Sequence, residues 1–231
     1  MNRILSIVLL MFLVMGCASK EEKAQKLFDI GRYQEVIDKY PDQPITRLAQ
    51  EKLLQTRTAD SLARAKGVKL AIFDVDGVLT DGRLYLTDAG EEIKAFSTLD
   101  GQGLKMLRAS GVRLAIITGR TSKLVVVRAE QLQFDRWLQG VHDKLEAYRE
   151  LLREFGLAEE ATAYMGDDVV DLPVMRRAGF AIAVPGAPEL VRSHAHYVTV
   201  ARGGEGAVRE SCELIMRAQG TLDAQLAPYL A

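Results

Sequence analysis

The chain has 231 residues, which at roughly 100 to 200 residues per domain predicts one domain with an extension, or two small domains. Hydrophobic residues at 48% and charged residues at 26% match an ordinary globular protein and exclude wholesale disorder, collagen and a polytopic membrane protein. Thirty basic residues against 31 acidic ones give a net charge of -1, so there is no electrostatic case for nucleic acid as a partner; the two cysteines, Cys17 and Cys212, exclude a disulfide framework or a cysteine zinc site.

Residues 1–17 read as an export address. Arg3 supplies a positive start, residues 4–15 form an apolar run interrupted by Ser6 alone, and Val14-Met15-Gly16-Cys17 places a small residue before a cysteine. The run is shorter than the ~20 apolar residues that cross a bilayer. It resembles a bacterial lipoprotein signal, in which Cys17 would be acylated and tether the protein to a membrane, with Ala18 directing it to the outer membrane. Residues 18–66 follow as a helical spacer. Ala24, Leu27, Phe28 and Ile30 recur at helical spacing before Gly31, then Tyr33, Val36, Ile37 and Tyr40 before Pro41, and a third helix is predicted over 45–65. Residues 24–41 resemble one tetratricopeptide-type helix pair, a unit that needs about three copies to build an independent core. A spacer or docking pair is therefore expected.

From residue 67 the pattern changes to short apolar runs that each open into a polar cluster. Residues 70–73 lead into Asp74, Asp76 and Gly77; 114–117 into Thr118-Gly119-Arg120; 162–165 into Gly166-Asp167-Asp168; and 180–184 into Pro185-Gly186. Helical segments separate them. This predicts an α/β fold with a Rossmann-like, mainly parallel sheet flanked by helices, whose ligands bind beyond the carboxyl ends of the strands. Asp74, Asp76 and Asp167 would converge there, and their mutual repulsion calls for a divalent cation. An all-oxygen donor set suits magnesium, and phosphoryl transfer is the chemistry such a site serves.

Asp74-Val75-Asp76-Gly77-Val78, Thr118-Gly119-Arg120, Lys144 and Gly166-Asp167-Asp168 with Asp171 resemble, in order and spacing, the four motifs of the haloacid dehalogenase superfamily. Residues 73–82, the Asp100-Gly101 pair, Asp171-Leu172-Pro173-Val174-Met175 and the Gly203-Gly204-x-Gly206-Ala207-Val208-Arg209-Glu210 tail narrow the likeness to its capless branch of sugar acid phosphate phosphatases, over about residues 67–223. The resemblance implies Asp74 as nucleophile and Asp76 as acid and base. It implies Mg2+ held by Asp74, Asp167 and the backbone carbonyl of Asp76, with Thr118 and Lys144 on the phosphoryl group and Asp168 and Asp171 outside the metal's immediate ligands. Substrate contacts are implied at Asp76, Ser97, Thr98, Leu99, Asp100, Gly101, Lys105, Arg120, Arg128 and Lys144, with Arg120 and Arg128 suited to fork onto a carboxylate.

Between Thr80 and Val112 there is space only for a hairpin flap, around 84–86 and 93–96, and one helix; no cap domain is expected. The branch resembles homotetramers in which a neighbour walls the site, and the 203–206 turn with the tail through Arg209, Gln219 and Asp223 would fold over a site. The expected substrate is an eight-carbon keto sugar acid phosphate on the route to lipopolysaccharide. A nine-carbon sialic-type acid phosphate, and a silent envelope-tethered interaction module, are the alternatives. A receiver-type phosphoacceptor fits the order of Thr118 and Lys144 less well. His142, His194 and His196 stand in no metal-ligand spacing and are expected to be structural. Location is divided, since the family resemblance implies the cytoplasm and the N-terminus implies the envelope.

Overall fold

A computed structural model describes residues 18–230; Cys17 and the lipid tether expected there lie outside the described residues. Two compact units divide between Thr58 and Ala59. The first holds α1 (Lys20–Asp29), α2 (Tyr33–Lys39) and the start of α3 (Ile45–Ala65). Ser19 caps α1 reciprocally with Glu22: its hydroxyl accepts the Glu22 N–H at 3.1 Å and its own N–H donates to the Glu22 carboxylate at 2.8 Å. Its core is small, with Ala24, Val36 and Ala49 buried and Leu27, Phe28, Tyr33, Ile37, Tyr40 and Ile45 packed around them.

The sequence pattern places the domain boundary at residue 66; the compact division lies between Thr58 and Ala59. The last turns of α3 belong to the second unit. Ala65 is fully buried in its core, Ser61 donates to the His196 carbonyl at 3.0 Å, and Arg64 donates to the Gly179 carbonyl at 3.2 Å.

The second unit is built on a six-stranded parallel sheet in the order β5-β4-β1-β6-β7-β8. The strands are β1 (Leu70–Phe73), β4 (Arg113–Ile117), β5 (Arg136–Leu138), β6 (Thr162–Gly166), β7 (Phe180–Ala183) and β8 (Tyr197–Val198). Every residue of β1, β6 and β7 is buried, the signature of a parallel sheet covered on both faces. The four predicted runs are β1, β4, β6 and β7. The edge strands β5 and β8 have only three and two residues, too short to show a period; Trp137 of β5 packs against the core.

The hairpin pairs β2 (Tyr85–Leu86) with β3 (Glu92–Ile93). Crossovers and tail supply α4 (Thr98–Ala109), α5 (Lys123–Gln131), α6 (Lys144–Phe155), α7 (Leu172–Met175), α8 (Glu189–Ser193), α9 (Ala207–Gln219) and α10 (Leu222–Leu226). The chain runs from β1 outward to β4 and β5, then returns across to β6. The carboxyl end of β1 therefore lies at the topological switch point, where open α/β sheets bind ligands.

Candidate active site

β4, β1 and β6 are neighbours in the sheet, so the residues that follow them are brought to one edge. The Asp74 N–H still donates to the Met165 carbonyl at 3.0 Å, which pins the first aspartate to the sheet. Three residues later the chain must turn: Gly77 has φ +91°, and a Cβ there would stand 2.0 Å from the Asp167 carboxylate. Only glycine meets both demands. Thr118 is buried after β4, its N–H bonded to the Leu138 carbonyl at 2.9 Å and its carbonyl to the Val141 N–H at 3.1 Å.

Lys144 is the first residue of α6. Asp143 caps that helix, accepting the N–H groups of Leu145 and Glu146 at 3.0 and 3.1 Å. This entry angle sends the nearly buried Lys144 ammonium between two carboxylates, 2.9 Å from Asp74 and 2.7 Å from Asp171. Asp171 is fully buried and its oxygens are all engaged. One takes Lys144 and the Tyr164 hydroxyl at 2.6 Å; the other takes the N–H groups of Asp167 and Asp168 at 3.0 and 3.1 Å.

Carboxylate oxygens of Asp74, Asp167 and Asp171 lie within 4.8 Å of one another. Three carboxylates against one ammonium leave two negative charges uncompensated, a deficit that one divalent cation fills. Since Asp171 is saturated, Asp74 and Asp167 are the carboxylates with lone pairs to offer. The all-oxygen set fits magnesium. Burial pushes the Asp74 carboxyl up to about 6, partly offset by Lys144. Burial, then the charges of Asp74 and Asp171, push Asp167 to about 7. For Lys144 burial acts the other way, but Asp74 and Asp171 outweigh it and hold its pKa above the usual lysine range.

Asp76 faces a different set of charges. Its carboxylate meets Lys94 at one oxygen and Arg120 Nε at 3.8 Å on the other, while Glu92 accepts from Lys94 at 3.2 Å and from Arg120 at 2.8 Å. Lys94, Glu92 and Tyr164 were missed from the sequence. Tyr164 reads as one more apolar residue of a buried strand. Glu92 and Lys94, two apart on an extended segment, share a face, and that was the available signal.

The other implied substrate contacts divide. Ser97 caps α4, accepting the Asp100 N–H at 3.3 Å, with Thr98 and Leu99 exposed on its first turn and Lys105 exposed further along. Arg128 donates to the Ser97 carbonyl at 3.1 Å and lies 5.9 Å over the Phe96 ring, so it braces the start of α4; Gly101 is buried beneath its guanidinium. The structure gives Asp100 another task. Its side chain is buried and accepts the Arg209 N–H at 2.8 Å, so it caps the start of α9, and burial raises its pKa despite the N–H groups of Arg209, Gly206 and Val208. Asp168 is exposed and caps the short turn after β6 through the Val169 N–H at 2.7 Å.

The tail divides likewise. The 203–206 turn lies on the chain's own first loop, Gly204 donating to the Val78 carbonyl at 3.0 Å. Gln219, however, donates to the Val68 carbonyl at 2.7 Å, at the opposite end of β1 from the carboxylates. Of the histidines, His196 accepts the Ala181 N–H at 2.9 Å at the sheet edge, a structural place.

Residues 84–179 match the family model described as haloacid dehalogenase-like hydrolase. The chain is 46% identical over 166 residues to 3-deoxy-D-manno-octulosonate 8-phosphate phosphatase KdsC of Escherichia coli K12, covering 72% of this chain and 88% of that protein. Among solved structures, the 3-deoxy-D-manno-octulosonate 8-phosphate phosphatase of Moraxella catarrhalis, in complex with magnesium, phosphate and KDO, aligns with a TM-score of 0.73 and 45% identity over 74% of this chain and 98% of that one. A probable YrbI family phosphatase from Pseudomonas syringae aligns with a TM-score of 0.74 and 55% identity over 75% and 98%.

Proposed function

The chain belongs to the 3-deoxy-D-manno-octulosonate 8-phosphate phosphatase family of haloacid dehalogenase-like hydrolases, and from that premise we propose how its residues carry the reaction. It is a phosphoric monoester hydrolase that cleaves this eight-carbon sugar acid phosphate with magnesium as cofactor. The observation that carries the assignment of roles is the Lys144 bridge, which ties Asp74 to Asp171 at the end of β1, with an Asp167 oxygen in the same cluster.

Asp74 and Asp167, with the backbone carbonyl of Asp76, are the groups that would hold the metal. When bound, magnesium neutralises charge on the phosphoryl oxygens and suppresses the mutual repulsion of the carboxylates. Asp74 attacks phosphorus; as the Asp74 oxygen–phosphorus bond forms, the bond from phosphorus to the sugar oxygen breaks and the Asp76 carboxyl gives that oxygen its proton. Water then attacks the aspartyl-phosphate, passing a proton back to Asp76, and phosphate and the Asp74 carboxylate are released. Lys144 orients the nucleophile and balances the phosphoryl charge, and Thr118 hydrogen-bonds the phosphoryl group. Arg120, at the rim beside Asp76, is placed for the substrate's carboxylate. Excess chelator should abolish phosphate release and added magnesium restore it; undiminished turnover in chelator would remove the metal from the scheme. Turnover of the eight-carbon phosphate should exceed that of a nine-carbon sialic-type phosphate, and the reverse order would reassign the substrate.

We further infer a homotetramer. The hairpin is a lone two-stranded ribbon, marginal by itself, and it exposes Leu84, Tyr85, Leu86 and Ile93, an apolar surface suited to a neighbouring copy. Light scattering should return four chains; a monomer at micromolar concentration would refute this. Supply of sugar acid for lipopolysaccharide is the corresponding place in metabolism.

A further inference from the structure

The second unit contains two lysines whose side chains are almost fully buried, at 4% exposure for Lys144 and 3% for Lys94. A buried ammonium requires partners, and each has two carboxylates. Lys144 is shared between the nucleophile Asp74 and Asp171; Lys94 is shared between Asp76 and Glu92. The arrangements correspond. In each, one carboxylate belongs to the reaction and the other anchors the lysine.

We propose that Lys94 is a positioning residue, which holds the Asp76 carboxyl in line with the departing sugar oxygen, and that Glu92 orients Lys94 as Asp171 orients Lys144. The inference rests on the assignment of Asp76 as the acid and base. Lys94 follows β3 directly, so the proton-transfer group is tied to the hairpin and not to the loop alone. Asp76 sits on that loop without the backbone pinning that Asp74 receives from Met165. Arg120 cannot replace Lys94. Its contact with Asp76 is longer, at 3.8 Å, its side chain is 49% exposed, and its shorter hydrogen bond, 2.8 Å, goes to Glu92. An exposed, long ion pair restrains a carboxylate far less than a buried charge-assisted hydrogen bond.

The test exploits what a general acid does. Sugar alkoxide leaves only with a proton, whereas nitrophenolate leaves without one, and kcat/KM reports the step in which the leaving group departs. With magnesium present, Lys94→Met should lower kcat/KM for 3-deoxy-D-manno-octulosonate 8-phosphate by about 10²-fold, the typical worth of a placed general acid. The loss on p-nitrophenyl phosphate should be less than a tenth as large. Lys94→Arg should recover part of the loss, and Glu92→Gln should reproduce the selectivity at smaller amplitude. Equal losses on the two esters, or none on the sugar phosphate, overturn the proposal. Should Lys94→Met fail to show a cooperative melt, the Glu92→Gln ratio decides by the same criterion. Asp76→Asn run in parallel separates the two layers of argument: if it too lacks selectivity, the assignment of Asp76 as the acid fails and takes the proposal with it.

Discussion

Tyr164 and Asp171 hold no phosphate, yet the order of the site depends on them. Of the four donors on Asp171, Lys144 is the charged one, two are backbone N–H groups, and the Tyr164 hydroxyl is the neutral side-chain donor. Burial and the surrounding carboxylates push its pKa well above the usual tyrosine value, so it remains a donor at any working pH. Tyr164→Phe should cost about 1.5 to 3 kcal/mol, the worth of a hydrogen bond to a charged group, read as a lower melting temperature with turnover reduced and not abolished; an unchanged melt would remove the hydroxyl from the network. The raised pKa values of Asp74 and Asp167, about 6 and about 7 against 3.8, carry a definite sign. The folded, metal-free protein binds protons more tightly than the unfolded chain, so this stability is complete below pH ~4 and is lost as pH rises through 6 and 7. The melting temperature without metal should therefore fall between pH 5 and 8, the shift produced by magnesium should grow over the same window, and metal binding near pH 6.5 should release about one proton. A magnesium shift that shrank toward pH 8 would contradict the assignment of the ligands. The meeting of Asp74 and Asp167 was legible in the sequence because each stands in a short motif at the end of an apolar run. The tasks of Asp100 and Arg128 were not, since a residue's partner across 109 or 31 positions is decided by packing.

At the scale of elements, the glycine turn after β8 is the part of the tail that touches the chemistry. A Cβ on Gly203 would lie 1.7 Å from the Gly77 carbonyl, whereas one on Gly186 would meet nothing within 4 Å. Gly203→Ala must push the turn away from the nucleophile loop, at the ~1 to 3 kcal/mol usual for overpacking. The melting temperature should fall by about 2 to 12 °C, at about 2 to 4 °C per kcal/mol for a unit of this size, with turnover reduced. Gly186→Ala should leave both within error; equal effects would show that the turn is not docked on the loop. The four central strands were legible because buried parallel strands are short apolar runs that end in polar clusters. The edge strands β5 and β8 were not, because two or three half-buried residues carry no period and exist as strands only through their neighbour's hydrogen bonds.

At the scale of the whole molecule, the chain joins a phosphatase unit to a segment outside its alignments with the Pseudomonas syringae and Moraxella catarrhalis structures. The alignment that covers 98% of the Pseudomonas syringae structure uses 75% of this chain, so about a quarter has no counterpart there. We propose residues 1–17 as a lipoprotein signal, 18–66 as a helical spacer and 67–231 as the phosphatase domain, with Cys17 as the point of attachment to an envelope membrane. Mass spectrometry of the native N-terminus should find Cys17 lipidated, and an unprocessed Met1 would place the enzyme in the cytoplasm instead. A chain begun at Ala59, where the second compact unit starts, should keep the turnover of the full protein, and a loss beyond tenfold would give the helical segment a part in catalysis. Above all, the Asp74 site hydrolyses this particular sugar acid phosphate. The direct measurement is inorganic phosphate released from 3-deoxy-D-manno-octulosonate 8-phosphate by the purified full chain with magnesium, beside Asp74→Asn. Release should be steady from the first and no higher than background from the second, with an unchanged melt; substantial release by Asp74→Asn would remove Asp74 as the nucleophile, and none by the unaltered chain would remove the sugar acid phosphate as the substrate.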